Sequence, residues 1–454
     1  MRPLALHAVP SFLRGRRALV AVGVVVVLAA GAVAAYLIVR KPGNVSHPGL
    51  EFTDSTPAKA PPKKQARPKN FTWPYYGYNA ARTKLFPNSN NLRPPFHRVW
   101  SYRQKALLEF PPSIDHGRLF VNQNDGFVVA LKAQTGRVLW RKRLGKLAAS
   151  SPAVGGKRLW VTLLRRNDAP NSGRVACLRQ RDGRILWSKK LPSRAESSPL
   201  LLHRRIYFGS EDGTFYAMKA KTGRTVWKFH AAGAVKAGAA YAKGTLYFGD
   251  YAGQVHAVKA SNGAKVWNSG SGGGYLGRSG QFYSTPAAAY GRIYVGNTDG
   301  RVYSFAASSG KLAWATRTSN YVYSSPAVMD VPGVGPTVFA GSYDGTFYAF
   351  DAKSGRVRWT HTVGGRISGG VQIVGGLVYF SDLGDRKVVA VGPKTGHTKF
   401  TYPDGAFNPV VADRKRLYVI GFGNIYGLEH GKAKHKTKAE ARKAAHHQRK
   451  QKKG

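Results

Sequence analysis

Residues 197–227 read SSPLLLHRRIYFGSEDGTFYAMKAKTGRTVW, and close variants of this stretch recur along most of the chain. The stretch contains a small-residue segment, two alternating apolar segments and a last segment that ends in tryptophan. The turn sequences EDG and KTG separate the later segments, and their glycines accept the positive φ that tight hairpins require. The stretch therefore predicts four short antiparallel strands joined by hairpin turns.

An aromatic residue closes each copy of this unit, and successive copies are 40 to 47 residues apart. Units of this length with four short strands are typical of β-propeller blades. The fixed place of these residues on the outer strand favours packing between neighbouring blades over ligand stacking. The structural blade residues are Trp100, Trp140, Trp187, Trp227, Trp267, Trp314 and Trp359, with Phe400 in the same place once more.

The two ends of the repeat region complement each other. Seven units are complete, while an eighth, at residues 407–428, lacks an outer strand that residues 96–102 can supply. Pairing the two ends in one blade closes the ring and removes an exposed sheet edge. We therefore expect an all-β fold, an eight-bladed β-propeller of four-stranded blades over residues 96–430, with a lead-in segment at 71–95.

The repeated unit resembles the PQQ-type propeller repeat, whose pattern is Ala-x-Asp-x-x-Thr-Gly-x-x-x-Trp. AMKAKTGRTVW at 217–227 and AFDAKSGRVRW at 349–359 follow it, with Lys219 in the aspartate position that Asp351 keeps. The resemblance implies one of two functions. Quinoprotein dehydrogenases use such a propeller to hold PQQ over calcium, whereas the similar BamB-type propeller of bacterial outer-membrane protein assembly is a non-catalytic scaffold.

The composition favours the scaffold over the quinoprotein alternative. Calcium prefers several oxygen ligands, commonly carboxylates, and the chain has 21 acidic residues against 71 basic ones. Cys177 is the single cysteine, so the disulfide of adjacent cysteines often found in quinoproteins cannot form. Four aspartates recur at one turn position, as turn formers do: Asp125, Asp212, Asp299 and Asp344. We assign no catalytic, cofactor-binding or metal-binding residue, and we expect neither PQQ nor calcium.

Residues 18–39, ALVAVGVVVVLAAGAVAAYLIV, form an uncharged apolar stretch. A helix of this length spans about 30 Å of hydrocarbon. Four arginines precede it, against Arg40 and Lys41 after it, so residues 1–17 are expected to form a basic cytoplasmic N-terminus. We expect a single-pass transmembrane helix in the cytoplasmic membrane of the cell, with the propeller on the extracytoplasmic side. A cleaved signal peptide, with a small-residue site at 32–34, is the alternative.

Two further segments lack the apolar periodicity of folded elements. Residues 40–70 are rich in proline and lysine, which predicts an extended linker. Residues 431–454 predict a basic, disordered tail. Together with the formal charge of +50, they favour an anionic partner. We expect an envelope protein or an anionic envelope polymer rather than nucleic acid, because no nucleic-acid-binding motif is present.

Three insertions interrupt the repeat, at 163–173, 268–283 and 329–336. The second-to-third turn of a four-stranded blade and the link between blades emerge on one face, so the first two insertions share a face. Loops carry function more often than strands do, and arginine and aromatic residues are common in interfaces. The alternative is variable loops without a partner. The candidate partner-binding residues are Arg165, Arg166, Tyr275, Arg278, Phe282, Tyr283, Tyr321 and Tyr323.

Overall fold

The computed structural model describes residues 23–31, 43–54, 71–87, 92–165, 172–271 and 280–431. Residues 23–31 are helical, and they belong to a different compact unit of the chain than the β-structure. Within the described residues, no helix combines the length and the apolar character that a membrane crossing needs. The other parts of the predicted transmembrane helix lie outside the described residues, as do residues 1–17 and the predicted tail after Gly431.

The described β-structure forms eight antiparallel sheets, each built on four strands in meander order, which confirms the predicted eight-bladed propeller. Three strands precede the first complete blade: β1 (Val45–Ser46), β2 (Thr72–Trp73) and β3 (Phe96–Arg103). Blade 1 consists of β4 (Ser113–Asp115), β5 (Arg118–Asn122), β6 (Phe127–Lys132) and β7 (Val138–Arg143), and blade 2 of β8 (Ala153–Gly155), β9 (Arg158–Leu163), β10 (Arg174–Arg179) and β11 (Ile185–Lys190). Blade 3 consists of β12 (Leu200–Leu202), β13 (Arg205–Gly209), β14 (Thr214–Lys219) and β15 (Thr225–His230), and blade 4 of β16 (Ala240–Ala242), β17 (Thr245–Gly249), β18 (Gln254–Lys259) and β19 (Lys265–Gly270). Blade 5 consists of β20 (Ala287–Ala289), β21 (Arg292–Asn297), β22 (Arg301–Ala306) and β23 (Leu312–Arg317), and blade 6 of β24 (Ala327–Val331), β25 (Gly335–Gly341), β26 (Thr346–Asp351) and β27 (Val357–Thr362). Blade 7 consists of β28 (Gln372–Val374), β29 (Leu377–Asp382), β30 (Lys387–Val391) and β31 (Thr398–Tyr402). Blade 8 consists of β32 (Val410–Ala412), β33 (Arg416–Ile420) and β34 (Asn424–His430), and β3 is its outer strand.

The ring closes in blade 8 as the sequence predicts. Strand β3 pairs antiparallel with β34, with Phe96 opposite His430 and Trp100 opposite Gly427. Glycine is required there, because a Cβ at Gly427 would lie 2.4 Å from Cε2 of Trp100. The first strand of each blade is innermost, since the first strands of neighbouring blades contact one another around the centre.

The blade tryptophans lie between neighbouring blades. Each indole N–H donates to a backbone carbonyl of the next blade, for example from Trp227 to Ala260 at 3.2 Å and from Trp314 to Ala352 at 2.9 Å. Each ring also covers the glycine of the next blade's third-to-fourth turn. The Thr-Gly turn and the tryptophan of the repeat therefore meet across a blade boundary.

The small residues before each first strand also bridge blades. The Ser151 N–H donates to Oγ of Ser198 at 2.9 Å, and the Thr285 N–H donates to Oγ of Ser325 at 3.0 Å. A hydroxyl one repeat further on thus accepts a backbone N–H that would otherwise be buried without a partner. This contact explains the recurring Ser-Ser-Pro and Ser-Thr-Pro sequences.

Part of the predicted linker is folded onto the propeller, which corrects the expectation of a wholly extended segment at 40–70. Strand β1 adds to the outer edge of blade 5 by pairing with β23. The ring of Phe52 stacks on Tyr290 with centroids 5.7 Å apart, and Nε of Arg292 donates to the Glu51 carbonyl at 3.1 Å. Burial of Phe52 and Leu50 against blades 5 and 6 provides the attraction that a proline-rich linker lacks. Residues 55–70 lie outside the described residues.

The first part of the lead-in segment, residues 71–87, runs along the inner strands of most blades. Strand β2 pairs with β4 of blade 1, and backbone carbonyls further along accept N–H groups from Val154, Tyr241, Ala288, Val328 and Ile373. These N–H groups belong to the innermost edges of blades 2, 4, 5, 6 and 7 and need partners because they are buried. The lead-in segment therefore fills the channel at the level of the inner strands.

Candidate functional site at the channel mouth

Two consecutive positions before each first strand have opposite environments. The position five residues before the strand is buried and apolar in blades 1 to 7, namely Leu108, Ala148, Ala195, Val235, Phe282, Val322 and Ile367. In extended chain the next side chain points the other way, here toward the channel. That next position supplies five residues to the wall of a cavity: Glu109, Lys236, Tyr283, Tyr323 and Ser368.

The cavity has a volume of about 180 Å³ and lies at the channel mouth, the face on which the blade-to-blade links emerge. Its wall is mainly aromatic and small polar, with the aromatic part formed by Tyr76, Phe110, Tyr283, Tyr323, Tyr343 and Phe407. Tyr76 comes from the lead-in segment, which closes the cavity toward the inner strands. Burial raises the pKa of Tyr76 to about 12, so its hydroxyl is a neutral hydrogen-bonding group at physiological pH.

An ion-pair network lies beside the cavity. The Lys236 ammonium is 3.3 Å from Oε2 of Glu196 and 2.9 Å from Oε1 of Glu211. Burial opposes protonation of Lys236, but the two carboxylates outweigh burial and raise its pKa. The Tyr283 hydroxyl donates to Oε1 of Glu196, and Nε of Arg194 lies 3.4 Å from Oε2 of Glu211. The network holds Lys236 as a cation between two carboxylates.

Glu109 is the carboxylate of the cavity wall, and it has fewer charged partners than Glu196 and Glu211 beside it. The Asn124 amide donates to Oε2 of Glu109 at 3.2 Å, and within the described part of the chain no lysine, arginine or histidine forms an ion pair with it. Burial, reinforced by the nearby Glu196 carboxylate, raises the pKa of Glu109 despite the Asn124 hydrogen bond and the positive charge of Lys236. Its ionised form is therefore held in a partly dehydrated, electrostatically unfavourable place.

The structure separates the predicted partner-binding residues. Phe282 is 0% exposed and packs in the core between blades 4 and 5, so it cannot contact a partner. Tyr321, 49% exposed, and the half-buried Tyr323 and Tyr283 form one aromatic cluster, with Tyr323 5.6 Å from Tyr283 and 6.0 Å from Tyr321 between ring centroids. Arg165 is exposed on the second-to-third turn of blade 2. The remaining three, Arg166, Tyr275 and Arg278, lie outside the described residues.

Sequence reasoning missed four members of the site: Glu109, Glu196, Lys236 and Tyr343. The first three occupy the same repeat position as Tyr283 and Tyr323, directly before the small-residue motif, so aligning the links of all blades would have found them. Tyr343 lies in a second-to-third turn, with its ring 4.9 Å from that of Tyr323. Nothing in the repeat pattern indicates that contact.

The opposite face carries a strong positive charge. We call it the basic face; it consists of the first-to-second and third-to-fourth turns of the blades. Within the described residues these turns expose fourteen lysines and arginines against one acid, Asp182. Two more exposed acids adjoin them: Glu51, which accepts from Ser308 and Ser309, and Asp330 at the end of β24. By the same criterion the mouth face is less basic: its links and second-to-third turns expose Lys105, Lys146, Arg165, Arg366 and Arg386 against Asp212 and Asp385. The other repeated aspartates and Glu211 are half-buried in the second-to-third turns of that face. The exposed basic residues of the basic face are Arg137, Lys157, Arg181, Arg184, Arg204, Lys221, Arg224, Lys243, Lys311, Lys353, Arg356, Lys394, Arg414 and Lys415.

The residues of the channel do not fit a PQQ–calcium centre. Calcium takes about six to eight oxygen ligands, and among the described residues no cluster of three or more histidine, cysteine, aspartate or glutamate side chains could hold a metal. PQQ is a tricarboxylate, whereas the cavity presents Glu109 and a lysine already bound by Glu196 and Glu211. We therefore derive no chemistry through this group.

The blades, the closure and the repeat define the class of the protein, an eight-bladed β-propeller of PQQ-like repeats. The sequence profile of the family described as outer membrane protein assembly factor BamB matches residues 97–169, 168–330 and 329–433. Because these matches cover well over half of the chain, the chain belongs to that family of PQQ-like propellers.

Solved structures share the fold at low identity. BamB from Moraxella catarrhalis is 18% identical with a TM-score of 0.60, and the match covers 76% of this chain and 100% of that chain. Quinohemoprotein alcohol dehydrogenase ADHIIG from Pseudomonas putida HK5 is 14% identical with a TM-score of 0.66, over 80% and 81% of the two chains. The computationally designed Ika8 protein is 13% identical with a TM-score of 0.60, over 73% and 99%. Such likeness describes the fold and not the function. No curated protein matches the sequence.

Proposed function

We propose that the protein is a non-catalytic scaffold of the cell envelope that binds an anionic envelope polymer through its basic face. In this proposal, residues 18–39 anchor the chain in the cytoplasmic membrane as a single-pass helix, and the propeller lies on the extracytoplasmic side. The observation that carries the proposal is the segregation of exposed charge between the two faces of the propeller.

The geometry of a propeller makes this segregation useful. Each blade repeats the same turns, so basic side chains recur around the ring at regular intervals, for example Lys221 and Arg224 in blade 3 and Lys353 and Arg356 in blade 6. A polymer with a charge on every unit can contact several of them at once, and clustered charge of one sign attracts the opposite charge at long range. A uniformly basic surface would have given no preference between the faces.

The competing function is a quinoprotein dehydrogenase, and the donor set at the channel mouth argues against it. The two functions differ in a simple measurement. A quinoprotein predicts calcium-dependent binding of PQQ to the full chain, detected as a change in the absorbance of the quinone, whereas the scaffold predicts none.

The direct test measures binding of the detergent-solubilised full chain to a poly(glycerol phosphate) and to a neutral glucan of similar length. A variant with Lys221, Arg224, Lys353 and Arg356 changed to Glu removes positive charge from the basic face. A matched control reverses four exposed charges on the mouth face, at Lys105, Lys146, Arg366 and Arg386. A third chain ending at Gly431 measures the contribution of the predicted tail.

We expect the basic-face variant to bind the phosphate polymer about tenfold or more weakly at low salt, with a smaller loss in the control. Binding should also weaken steeply as ionic strength rises, because surface charges are screened. Equal losses in both variants, or complete loss on removal of the tail alone, would show that the basic face is not the binding surface.

A further inference from the structure

The mouth cavity gathers a large share of the glutamates of the chain. The sequence contains six glutamates, Glu51, Glu109, Glu196, Glu211, Glu429 and Glu440, in a chain whose formal charge is +50. Among the described residues, three of them converge on the cavity and its border. Arg194 and Lys236 offset two of these three negative charges. Two further cations adjoin the wall: the buried Arg82 guanidinium donates to the Tyr76 carbonyl, and the Arg366 guanidinium lies 5.5 Å from the centroid of the Tyr343 ring. Half of the glutamates of the chain are therefore gathered at one cavity, among cations of the surrounding wall.

Among the described residues, Glu109 is the one of these three glutamates that forms no ion pair, although the charge of Lys236 also acts on it. Lys236 also lines the cavity, but its ammonium is engaged by Glu196 and Glu211 at 3.3 and 2.9 Å. The Asn124 amide is a neutral donor and leaves the charge of Glu109 in place. A cation entering the cavity would thus find a carboxylate that gains, rather than exchanges, an ionic partner.

The remaining wall suits a cation as well. Aromatic rings attract cations to their faces, by an interaction that strengthens when water is excluded. Tyr323 and Tyr343 pack with centroids 4.9 Å apart, and Tyr283 and Phe110 face the same cavity. Hydroxyls of Ser198, Thr285, Ser325 and Ser368 line it too. The first three each accept one backbone N–H already, so each has one lone pair left for a second N–H donor.

We propose that this cavity binds an organic ammonium group, with Glu109 as its ionic partner and the tyrosines as its aromatic wall. The volume of about 180 Å³ exceeds the ~150 Å³ at which engineered cavities accept a benzene-sized molecule, so an alkyl chain with its ammonium head fits. Two sources share this chemistry: a free alkylamine and the lysine side chain of a partner protein. The cavity is on the face opposite the basic face, so this inference and the proposed polymer binding can fail independently.

The experiment titrates the full chain in detergent with n-butylammonium and with Nα-acetyl-lysine N-methylamide, following heat or tyrosine fluorescence. Neutral n-pentanol, of similar length, measures the apolar contribution. Binding of the ammonium compounds at least tenfold tighter than pentanol supports the site. A preference for the free amine indicates a small-molecule ligand, and a preference for the lysine derivative indicates a protein partner.

Two variants locate the binding. Glu109→Gln keeps the shape of the side chain and should weaken ammonium binding about tenfold while leaving pentanol binding unchanged. Tyr323→Leu should weaken ammonium binding as well. The matched control Glu429→Gln removes an equal charge from the ion pair with Arg416 in blade 8 and should change neither.

Three results overturn the proposal: no ammonium binding, pentanol binding as tightly as butylammonium, or Glu109→Gln binding like the unchanged chain. If Tyr323→Leu does not fold, Glu109→Gln decides alone, since Glu and Gln are nearly isosteric. Binding of the phosphate polymer by Glu109→Gln should stay intact, which separates failure of this site from failure of the basic face.

Discussion

At the residue scale, a tryptophan–glycine pair joins neighbouring blades at seven of the eight blade boundaries. The Trp227 ring covers Gly263 of the next blade, and its N–H donates to Ala260 of the same turn. The sequence contains both partners in the six units that end at Trp140 to Trp359, and it predicts packing between blades, but it does not reveal that the turn glycine of the next blade is the partner. The same limit explains Phe282 and Tyr283, which sequence reasoning placed together although the extended chain directs one into the core and the other into the channel.

Substitutions at two glycines of blade 4 distinguish the effect of the tryptophan contact on stability from the effect of backbone strain. Gly263 has a φ of +77° and a Cβ there would lie 2.6 Å from Cε3 of Trp227, whereas Gly244 has a φ of +84° and open space around it. Gly244→Ala should destabilise the protein by about 1–2 kcal/mol through φ alone. Gly263→Ala should add about 1–3 kcal/mol from the clash. Equilibrium urea unfolding measures both, and equal losses would rule out a contribution from the ring.

The raised pKa of Glu109 gives ammonium binding a defined pH dependence. The carboxylate must be ionised to pair with a cation, so binding should weaken as the pH falls through this raised pKa, at a higher pH than for an exposed glutamate. Two groups that face the same site do not titrate in this range, because the pKa values of Lys236 and Tyr283 are both raised. Glu196 is the other nearby carboxylate, and it is present in both the unchanged chain and Glu109→Gln, so its contribution cancels when the two are compared. The pH-dependent step should disappear in Glu109→Gln; a step of the same size in that variant would assign it to another group.

At the scale of elements, the unexpected features are the segments that precede the blades. The repeat pattern predicted four strands per blade and the closing strand, because periodicity and turn glycines are local signals. It did not predict that residues 44–54 pack on blades 5 and 6 or that the lead-in segment bonds to the inner strands. Those contacts depend on edges and apolar surface created only when the ring has formed. The lead-in segment also buries Arg82 and Lys84, which are 0% and 1% exposed and which composition alone would have placed in water.

Burial of Lys84 predicts how stability changes with pH. Its ammonium donates to the Pro326 carbonyl at 3.0 Å, and burial, reinforced by Arg82, holds its pKa well below the usual value. The folded state therefore binds this proton less readily than the unfolded state does, so the contribution of Lys84 to stability should rise with pH up to the pKa of an exposed lysine. The unfolding free energy of the unchanged chain minus that of Lys84→Met should become more positive from pH 7 to pH 10. A difference independent of pH would mean that Lys84 has an ordinary pKa.

For the whole molecule, topology converts a repeated sequence into two chemically different faces. Net charge reports only the total, but alternate turns of an antiparallel blade emerge at opposite ends. Basic residues next to the Thr-Gly turns therefore gather on one face, and the aspartates of the second-to-third turns gather on the other. This segregation could have been derived from the sequence by sorting the turns by their order in the blade. The position of Glu109 and Glu196 also required the register of the links.

The segregation of charge predicts an orientation on any polyanion. Bound to poly(glycerol phosphate), the full chain should protect Lys221, Lys353 and Lys394 of the basic face from acetylation, while Lys105 and Lys146 of the mouth face react as in the free protein. Mass spectrometry of peptides after brief labelling measures each lysine separately. High salt should remove the protection, because screening shortens the range of surface charge to a few ångströms. Equal protection of both sets would mean that the polymer wraps the propeller without preference, and protection of the mouth lysines alone would place the polymer on the face that carries the ammonium site.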